Sequence, residues 1–227
     1  METITYEGRN SSFPKVRAAK PKVLIPVFPG TNCEEDSRRA FERAGAEVEL
    51  HIIRNLNQEM LMSSINELAR KIKDSRIVML PGGFSAGDEP GGSAKFITAV
   101  FRSERVKEAL ADLLENRDGL MLGICNGFQA LIKLGLLPYG RIMDLDENSM
   151  TLTYNKIGRH MSRLVRTRVS SVKSPWFSGA SAGDIHTVAV SHGEGRFIAS
   201  GSRSPGSLKA GRSPRSMLIL TAKPRWI

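Results

Sequence analysis

Residues 119–135 read GLMLGICNGFQALIKLG, and this stretch decides the fold. An apolar run ends at a cysteine placed between Gly123 and Gly127, and a helix-like pattern follows. A strand that turns sharply into a helix strains the backbone of the corner residue. It also needs small neighbours, because the chain passes close to itself there. The stretch therefore predicts a nucleophile elbow with Cys125 at its corner.

This placement has three chemical consequences for Cys125. The sulfur is presented at the carboxyl edge of the sheet, the helix N-terminus favours the thiolate, and the Asn126 N–H points to where an oxyanion would form. The alternative is a buried cysteine that acts as a small hydrophobe, but the order of strand, glycines and helix favours the nucleophile. Cys33 also opens a helix, yet it lacks the flanking glycines, so we interpret it as a loop residue.

Strand and helix patterns alternate along the chain before residue 135. Strands are predicted at 22–28, 47–54, 76–80 and 119–124, and helices at 32–45, 57–74 and 105–117. Asn32 is the predicted N-cap of the first helix, and Gly45 follows its end. This alternation predicts an α/β fold with a mostly parallel sheet, helices on both faces and a ligand site at the carboxyl ends of the strands.

The pattern changes after residue 138. Strand-like segments follow one another without helices at 151–157, 163–169 and 186–191, and they could extend the sheet or form an antiparallel flap. We expect residues 1–20 to be a linker or domain junction and residues 21–199 to form the domain. Residues 200–227 are basic and rich in Ser, Gly, Pro and Arg, which predicts a disordered tail.

Composition limits the remaining function classes. The 227 residues include 41% hydrophobic ones, enough for a core, but no run of about 18 apolar residues that would span a membrane. Two cysteines and no signal peptide predict a cytoplasmic protein. The net charge of +10 raises nucleic acid as a partner. Much of it lies in the tail and no nucleic-acid module is present, so we expect neither a nucleic-acid nor a membrane partner.

A glycine-rich loop, PGGFSAGDEPGG at 81–92, follows the third predicted strand. Gly82 and Gly83 let the backbone approach a ligand and expose N–H groups. A phosphate cradle would also use such groups, but the loop lacks the lysine and Ser/Thr of a P-loop. A second oxyanion donor near Cys125 fits better.

Four stretches together resemble the class I, triad-type glutamine amidotransferases. Among these the glutaminase domains of phosphoribosylformylglycinamidine synthases, of purine biosynthesis, are the most similar. The stretches are VFPGTNCEEDSRRAFERAGAEVE (27–49), MLPGGFSAGDEPGGSAKF (79–96), GLMLGICNGFQALIKLGLLP (119–138) and VSHGEGRF (190–197). The resemblance runs from about Lys22 to about Ala199 and implies a flavodoxin-like class I amidotransferase fold.

The resemblance also implies an activity. Cys125 would attack the side-chain amide of glutamine, form a glutamyl thioester and release ammonia. The ammonia would pass to a synthetase domain or subunit of the same enzyme. There ATP and Mg²⁺ would serve the conversion of formylglycinamide ribonucleotide to formylglycinamidine ribonucleotide. The resemblance implies no cofactor and no metal in this domain itself.

The family's functional positions match a defined set of residues here. Oxyanion donors match Gly83, Phe84 and Asn126, and contacts to glutamine match Gln129, Ser191, Gly193 and Glu194.

The sequence departs from the family in its catalytic base. Family members carry a His-x-Glu pair near the C-terminus, and only His192-Gly193-Glu194 has this form here. The segment around His192, however, resembles a family segment that lines the glutamine pocket. His192 is therefore a candidate for the catalytic base by its His-x-Glu form, although the resemblance assigns its segment a different role. We hypothesise that the chain is truncated or read in a shifted frame after about residue 199. There are two alternatives. The chain could be a catalytically impaired fragment that only docks on a synthetase, or it could be an amidotransferase of another pathway.

Overall fold

The computed structural model describes residue 7 and residues 19–85 and 93–198. The chain divides into two compact units, one formed by Pro14–Glu147 and the other by Met1–Phe13 with Asn148–Ile227. Most of the predicted linker, the second half of the glycine-rich loop and the predicted tail at 200–227 lie outside the described residues.

The first unit holds a four-stranded parallel sheet. Its strands are β1 (Lys22–Val27), β3 (Glu47–Ile52), β4 (Ile77–Leu80) and β6 (Leu120–Gly123), in the order β3-β1-β4-β6. A two-stranded antiparallel ribbon joins β2 (Thr31–Asn32) to β5 (Gly82–Gly83). The predicted α/β class with a parallel sheet is confirmed.

Helices lie between these strands and after the last of them. They are α1 (Glu34–Arg43), α2 (Gln58–Asp74), α3 (Lys95–Phe101), α4 (Glu104–Ala111), α5 (Asn126–Lys133) and α6 (Leu136–Tyr139), and a π-helical turn at Asp112–Asn116 continues α4. The crossover from β1 to β3 runs in the opposite direction to the crossover from β3 to β4. Right-handed connections therefore put α1 and α2 on opposite faces of the sheet.

Alternation along the strands builds the core. Val23 and Ile25 of β1 point to one face with Met79, where Phe41 of α1 packs against them. Leu24 lies between them in β1 and is fully buried, as it must be if both faces of a parallel strand are covered.

The second unit is built from antiparallel pairs. Its strands are β7 (Thr151–Thr153), β8 (Met161–Arg168), β9 (Ile185–His192) and β10 (Arg196–Ile198), and β8 pairs with β9 while β10 pairs with β7. A short 3₁₀ turn at Pro175–Phe177 lies between β8 and β9. These strands do not extend the parallel sheet, so the antiparallel alternative holds.

Two local expectations differ from the structure. The prediction of Asn32 as N-cap is wrong, because Asn32 pairs in the β2–β5 ribbon. Cys33 occupies the N-cap position of α1, with φ 65° and no capping hydrogen bond from its side chain. The helix α3 was not expected, because its start after the glycine-rich loop carries no capping side chain. Within residues 19–85 and 93–198, no helix is long and apolar enough to cross a membrane.

Candidate active site

The corner at Cys125 has the predicted backbone shape. Strand β6 ends at Gly123, and α5 begins at Asn126. Between them Cys125 adopts φ 52° and ψ −110°, a conformation that side chains rarely take and that costs about 1–3 kcal/mol. Its carbonyl accepts the Gln129 N–H at 3.0 Å, and the residue is exposed. The chain thus holds a free thiol at the exposed end of a strained turn.

Close packing explains the two glycines that flank this corner. A Cβ on Gly123 would lie 2.6 Å from the Gly127 carbonyl oxygen, and one on Gly127 would collide with the Leu80 carbonyl. The Gly127 N–H donates to the Pro81 and Ile124 carbonyls at 3.0 and 2.9 Å. Any side chain at either position would open the turn that presents Cys125.

The ribbon strand β5 lies directly against this corner. A Cβ placed on Gly82 would be 3.3 Å from the Cβ of Cys125. Gly83 has φ +109°, and a Cβ there would lie 2.6 Å from the Gly30 carbonyl oxygen, so only glycine fits. The Phe84 N–H donates to the Gly30 carbonyl at 2.7 Å and would have to give up this bond to act as an oxyanion donor. The backbone N–H groups of Gly83 and Asn126 remain the predicted oxyanion donors beside Cys125.

Two buried side-chain amides, those of Asn126 and Gln129, lie just after the corner at Cys125. Asn126 is fully buried and Gln129 is 8% exposed, and the Asn126 Nδ2 donates to the Gln129 Oε1 at 3.1 Å. The Asn126 Oδ1 accepts the Ser85 N–H at 3.4 Å. The sequence singled out Asn126 only for its backbone N–H, so the role of its side chain was missed.

The remaining predicted site residues lie in the second unit, around the end of β9. The His192 Nδ1 lies 3.0 Å from the Asn155 Oδ1. The Asn155 Nδ2 donates to the His192 and Arg159 carbonyls at 2.8 and 3.0 Å, so the amide oxygen is the acceptor toward the ring. The ring therefore carries its proton on Nδ1. Burial lowers the pKa of His192 below its ordinary value, and the charge of nearby His160 lowers it further.

Ser191, Gly193 and Glu194 accompany His192 at this end of the hairpin. The Ser191 Oγ lies 2.8 Å from the His160 Nε2, and the Gly193 carbonyl accepts the Asn155 N–H at 2.9 Å. Glu194 lies in the turn between β9 and β10. The sequence did not single out Asn155, since an isolated asparagine between two strand patterns gives no signal of its own.

Cys33 also precedes a helix at a positive φ, but it follows the short ribbon strand β2 and not a strand of the parallel sheet. It is exposed, and its thiol donates to the Asn32 Oδ1 at 3.2 Å. The part of the chain that the structure describes holds no group of three or more His, Cys, Asp or Glu side chains that could bind a metal ion.

Comparisons with known proteins agree with this geometry. Residues 20–213 match the family model of the CobB/CobQ-like glutamine amidotransferase domain. The chain is 37% identical over 181 residues to the phosphoribosylformylglycinamidine synthase subunit PurQ of Rubrobacter xylanophilus, covering 78% of this chain and 67% of that protein. It is 36% identical over 185 residues to PurQ of Dehalococcoides mccartyi, covering 80% of this chain and 65% of the relative.

A third relative and a solved structure extend the comparison. PurQ of Methanococcus maripaludis is 34% identical over 180 residues, and the chain spans only 60% of its length. The solved structure of PurLQS from Thermotoga maritima superposes with a TM-score of 0.59 at 27% identity, covering 79% of this chain and 70% of that one. The family match covers most of the chain. The chain belongs to the family of CobB/CobQ-like glutamine amidotransferase domains.

Proposed function

We propose that the chain is the glutaminase part of a phosphoribosylformylglycinamidine synthase. The observation that carries this proposal is Cys125, an exposed thiol at φ 52° between a parallel strand and a helix, with β5 against it. Support also comes from the relatives, whose names are those of a subunit of this enzyme.

The reaction we propose begins with attack of the Cys125 sulfur on the side-chain carbonyl carbon of glutamine. The carbonyl π electrons move to oxygen, where the Gly83 and Asn126 N–H groups stabilise the negative charge. The C–N bond then breaks, ammonia leaves with one added proton, and a glutamyl thioester remains. Water attacks the thioester, which releases glutamate and restores the thiol. Gln129, Ser191, Gly193 and Glu194 are the proposed contacts to glutamine.

A histidine must supply the proton transfers of this cycle. His192 is the candidate, because its lowered pKa keeps the ring neutral at neutral pH and its Nδ1 proton leaves Nε2 as the basic nitrogen. Its partner, however, is the neutral amide of Asn155 and not a carboxylate. An amide orients the ring but stabilises the imidazolium less than a carboxylate does. We therefore expect weak turnover of glutamine.

In this proposal the ammonia is used at an active site of a partner and not of this chain. A synthetase domain or subunit would use ATP and Mg²⁺ to convert formylglycinamide ribonucleotide to formylglycinamidine ribonucleotide with this ammonia. Glutamine and that synthetase are the proposed partners, in the cytoplasm. A chain that docks on the synthetase without making ammonia is the second candidate, and the amide partner of His192 is the observation that favours it.

Ammonia release from glutamine tests the proposal. The protein, alone and with a phosphoribosylformylglycinamidine synthetase, should release ammonia, and Cys125→Ser should remove this activity. Cys33→Ser is the matched control and should keep it, because Cys33 is an exposed thiol outside the strained turn. Ammonia release that survives Cys125→Ser would refute the proposed nucleophile. No release under either condition would favour the docking candidate.

A further inference from the structure

The side chain of Ser85 has an unusual environment. The residue is fully buried, yet its Oγ has no hydrogen-bond partner among the residues that the structure describes. Nearly all buried side-chain hydroxyls in folded proteins are paired, so an unpaired one calls for an explanation. Ser64 and Ser75 are buried just as fully, and both of their hydroxyls are paired, with the Arg54 N–H and the Lys71 carbonyl.

Ser85 is joined to the corner that presents Cys125. It lies two positions after the end of the strand β5, whose Gly82 lies against the Cβ of Cys125. Its backbone N–H donates to the Asn126 Oδ1 at 3.4 Å. The same Asn126 side chain donates to Gln129, the proposed glutamine contact. The backbone of the residue that carries the unpaired hydroxyl is therefore hydrogen-bonded to Asn126, the residue that follows the nucleophile.

Resting on the proposed function, we propose that Ser85 is a further specificity-determining residue, and that its hydroxyl hydrogen-bonds the side-chain carboxamide of bound glutamine. The hydroxyl can both donate and accept, and the carboxamide offers both a carbonyl oxygen and N–H groups. A site that leaves a buried polar group unpaired until its substrate arrives discriminates strongly against compounds that cannot pair with it. The free protein carries the cost of the unpaired hydroxyl, and bound glutamine removes it.

This inference predicts opposite effects on stability and on recognition. Ser85→Ala removes an unsatisfied buried atom, so the free variant should melt at a higher temperature than the unmodified protein. The same variant should react about 10-fold more slowly at Cys125 with the diazoketone analogue of glutamine, the loss expected for one hydrogen bond. Its reaction at Cys125 with iodoacetamide, which needs no glutamine pocket, should be unchanged.

Ser75→Ala is the matched control. It removes a buried hydroxyl that is already paired, so the melting temperature should fall while the reaction with the glutamine analogue stays the same. Ser85→Gly is the second variant, in case Ser85→Ala does not fold, and it should show the same loss of reaction with the analogue.

Two results would overturn the inference, and they can be told apart. If the Ser85 variants react with the analogue within 2-fold of the unmodified protein, Ser85 does not contact glutamine while the glutaminase proposal stands. If the unmodified protein reacts with iodoacetamide at Cys125 but not with the analogue, the glutaminase proposal fails and the inference fails with it.

Discussion

At the scale of single residues, the backbone around Cys125 explains why this position presents its thiol. The strained φ of Cys125 persists only if its surroundings hold it, and Gly123 and Gly127 provide that constraint. A Cβ on Gly127 would collide with a backbone oxygen, an atom that no side-chain movement can displace.

Replacing Gly127 should therefore be costly. We expect Gly127→Ala to lower the free energy of unfolding by about 1–3 kcal/mol or more, the range for overpacking a closed site. Urea unfolding followed by circular dichroism measures this change. The matched control is Gly179→Ala, since a Cβ on Gly179 meets no atom within 4 Å. Equal stability of the two variants would contradict the packing account of the turn.

Sequence alone predicted this residue-level chemistry only in part. The G-x-C-x-G pattern was enough to predict the turn at Cys125, because the close packing of the turn requires glycine at the two positions where the sequence has it. The contact of the Asn126 side chain with the Ser85 N–H was missed, since it joins residues 41 positions apart. The Asn155 partner of His192 was missed for the same reason, being 37 positions away.

At the scale of elements, strand β3 and helix α2 meet through a buried histidine. The His51 Nε2 lies 2.9 Å from the Ser64 carbonyl oxygen and its Nδ1 lies 3.1 Å from the Lys71 Nζ. The carbonyl can only accept and the ammonium can only donate, so the neutral ring is protonated on Nε2. Burial lowers the pKa of His51 below 6.5, the Ser64 hydrogen bond opposes this, and the Lys71 charge lowers it further.

This contact makes stability depend on pH in a predictable direction. The unfolded chain binds a proton to His51 below its ordinary pKa while the folded chain does not, so stability falls as pH drops through 6.5. Each unit of pKa lowering contributes up to about 1.4 kcal/mol. The pKa values of Glu49 and Glu67 are lowered from 4.5, so these two residues make stability depend on pH only at lower pH.

Urea unfolding at about pH 7.5 and about pH 5.5 measures the effect within the window where histidines titrate. The unmodified protein should lose stability on acidification, and His51→Leu should lose less, whatever its stability at the higher pH. The remaining slope includes His192, whose pKa is also lowered. A variant with the same slope as the unmodified protein would show that His51 is not protonated on unfolding.

The parallel strands were easier to predict than the helix cap at Asn32 and the partners of the later strands. The four parallel strands begin and end close to the predicted positions. Largely apolar runs mark β1, β4 and β6, whereas β3 alternates apolar and polar residues. Asn32 failed as a predicted cap, because the backbone of Asn32 pairs with Gly82 in a ribbon that two residues of sequence cannot reveal. The sequence does not determine that β8 pairs with β9, since alternation fixes strand faces but not strand partners.

At the scale of the whole molecule, the family match covers residues 20–213, and the relatives are subunits of one synthase. The predicted single domain at 21–199 remains a prediction, and the backbone divides after Glu147 into a parallel α/β unit and an antiparallel one. The nine predicted site residues fall in both, with Cys125, Gly83, Phe84, Asn126 and Gln129 in the first. The two exposed cysteines, Cys33 and Cys125, allow a direct chemical test of where glutamine chemistry takes place.

Reaction of the unmodified chain with the diazoketone analogue of glutamine, followed by mass spectrometry of the peptides, tests the central claim most directly. The account predicts covalent modification of Cys125, suppressed by excess glutamine, with Cys33 left unmodified because Cys33 does not lie at the corner between a strand of the parallel sheet and α5. Equal modification of Cys33 and Cys125, or modification that glutamine does not suppress, would contradict the claim that Cys125 is the nucleophile of a glutamine site.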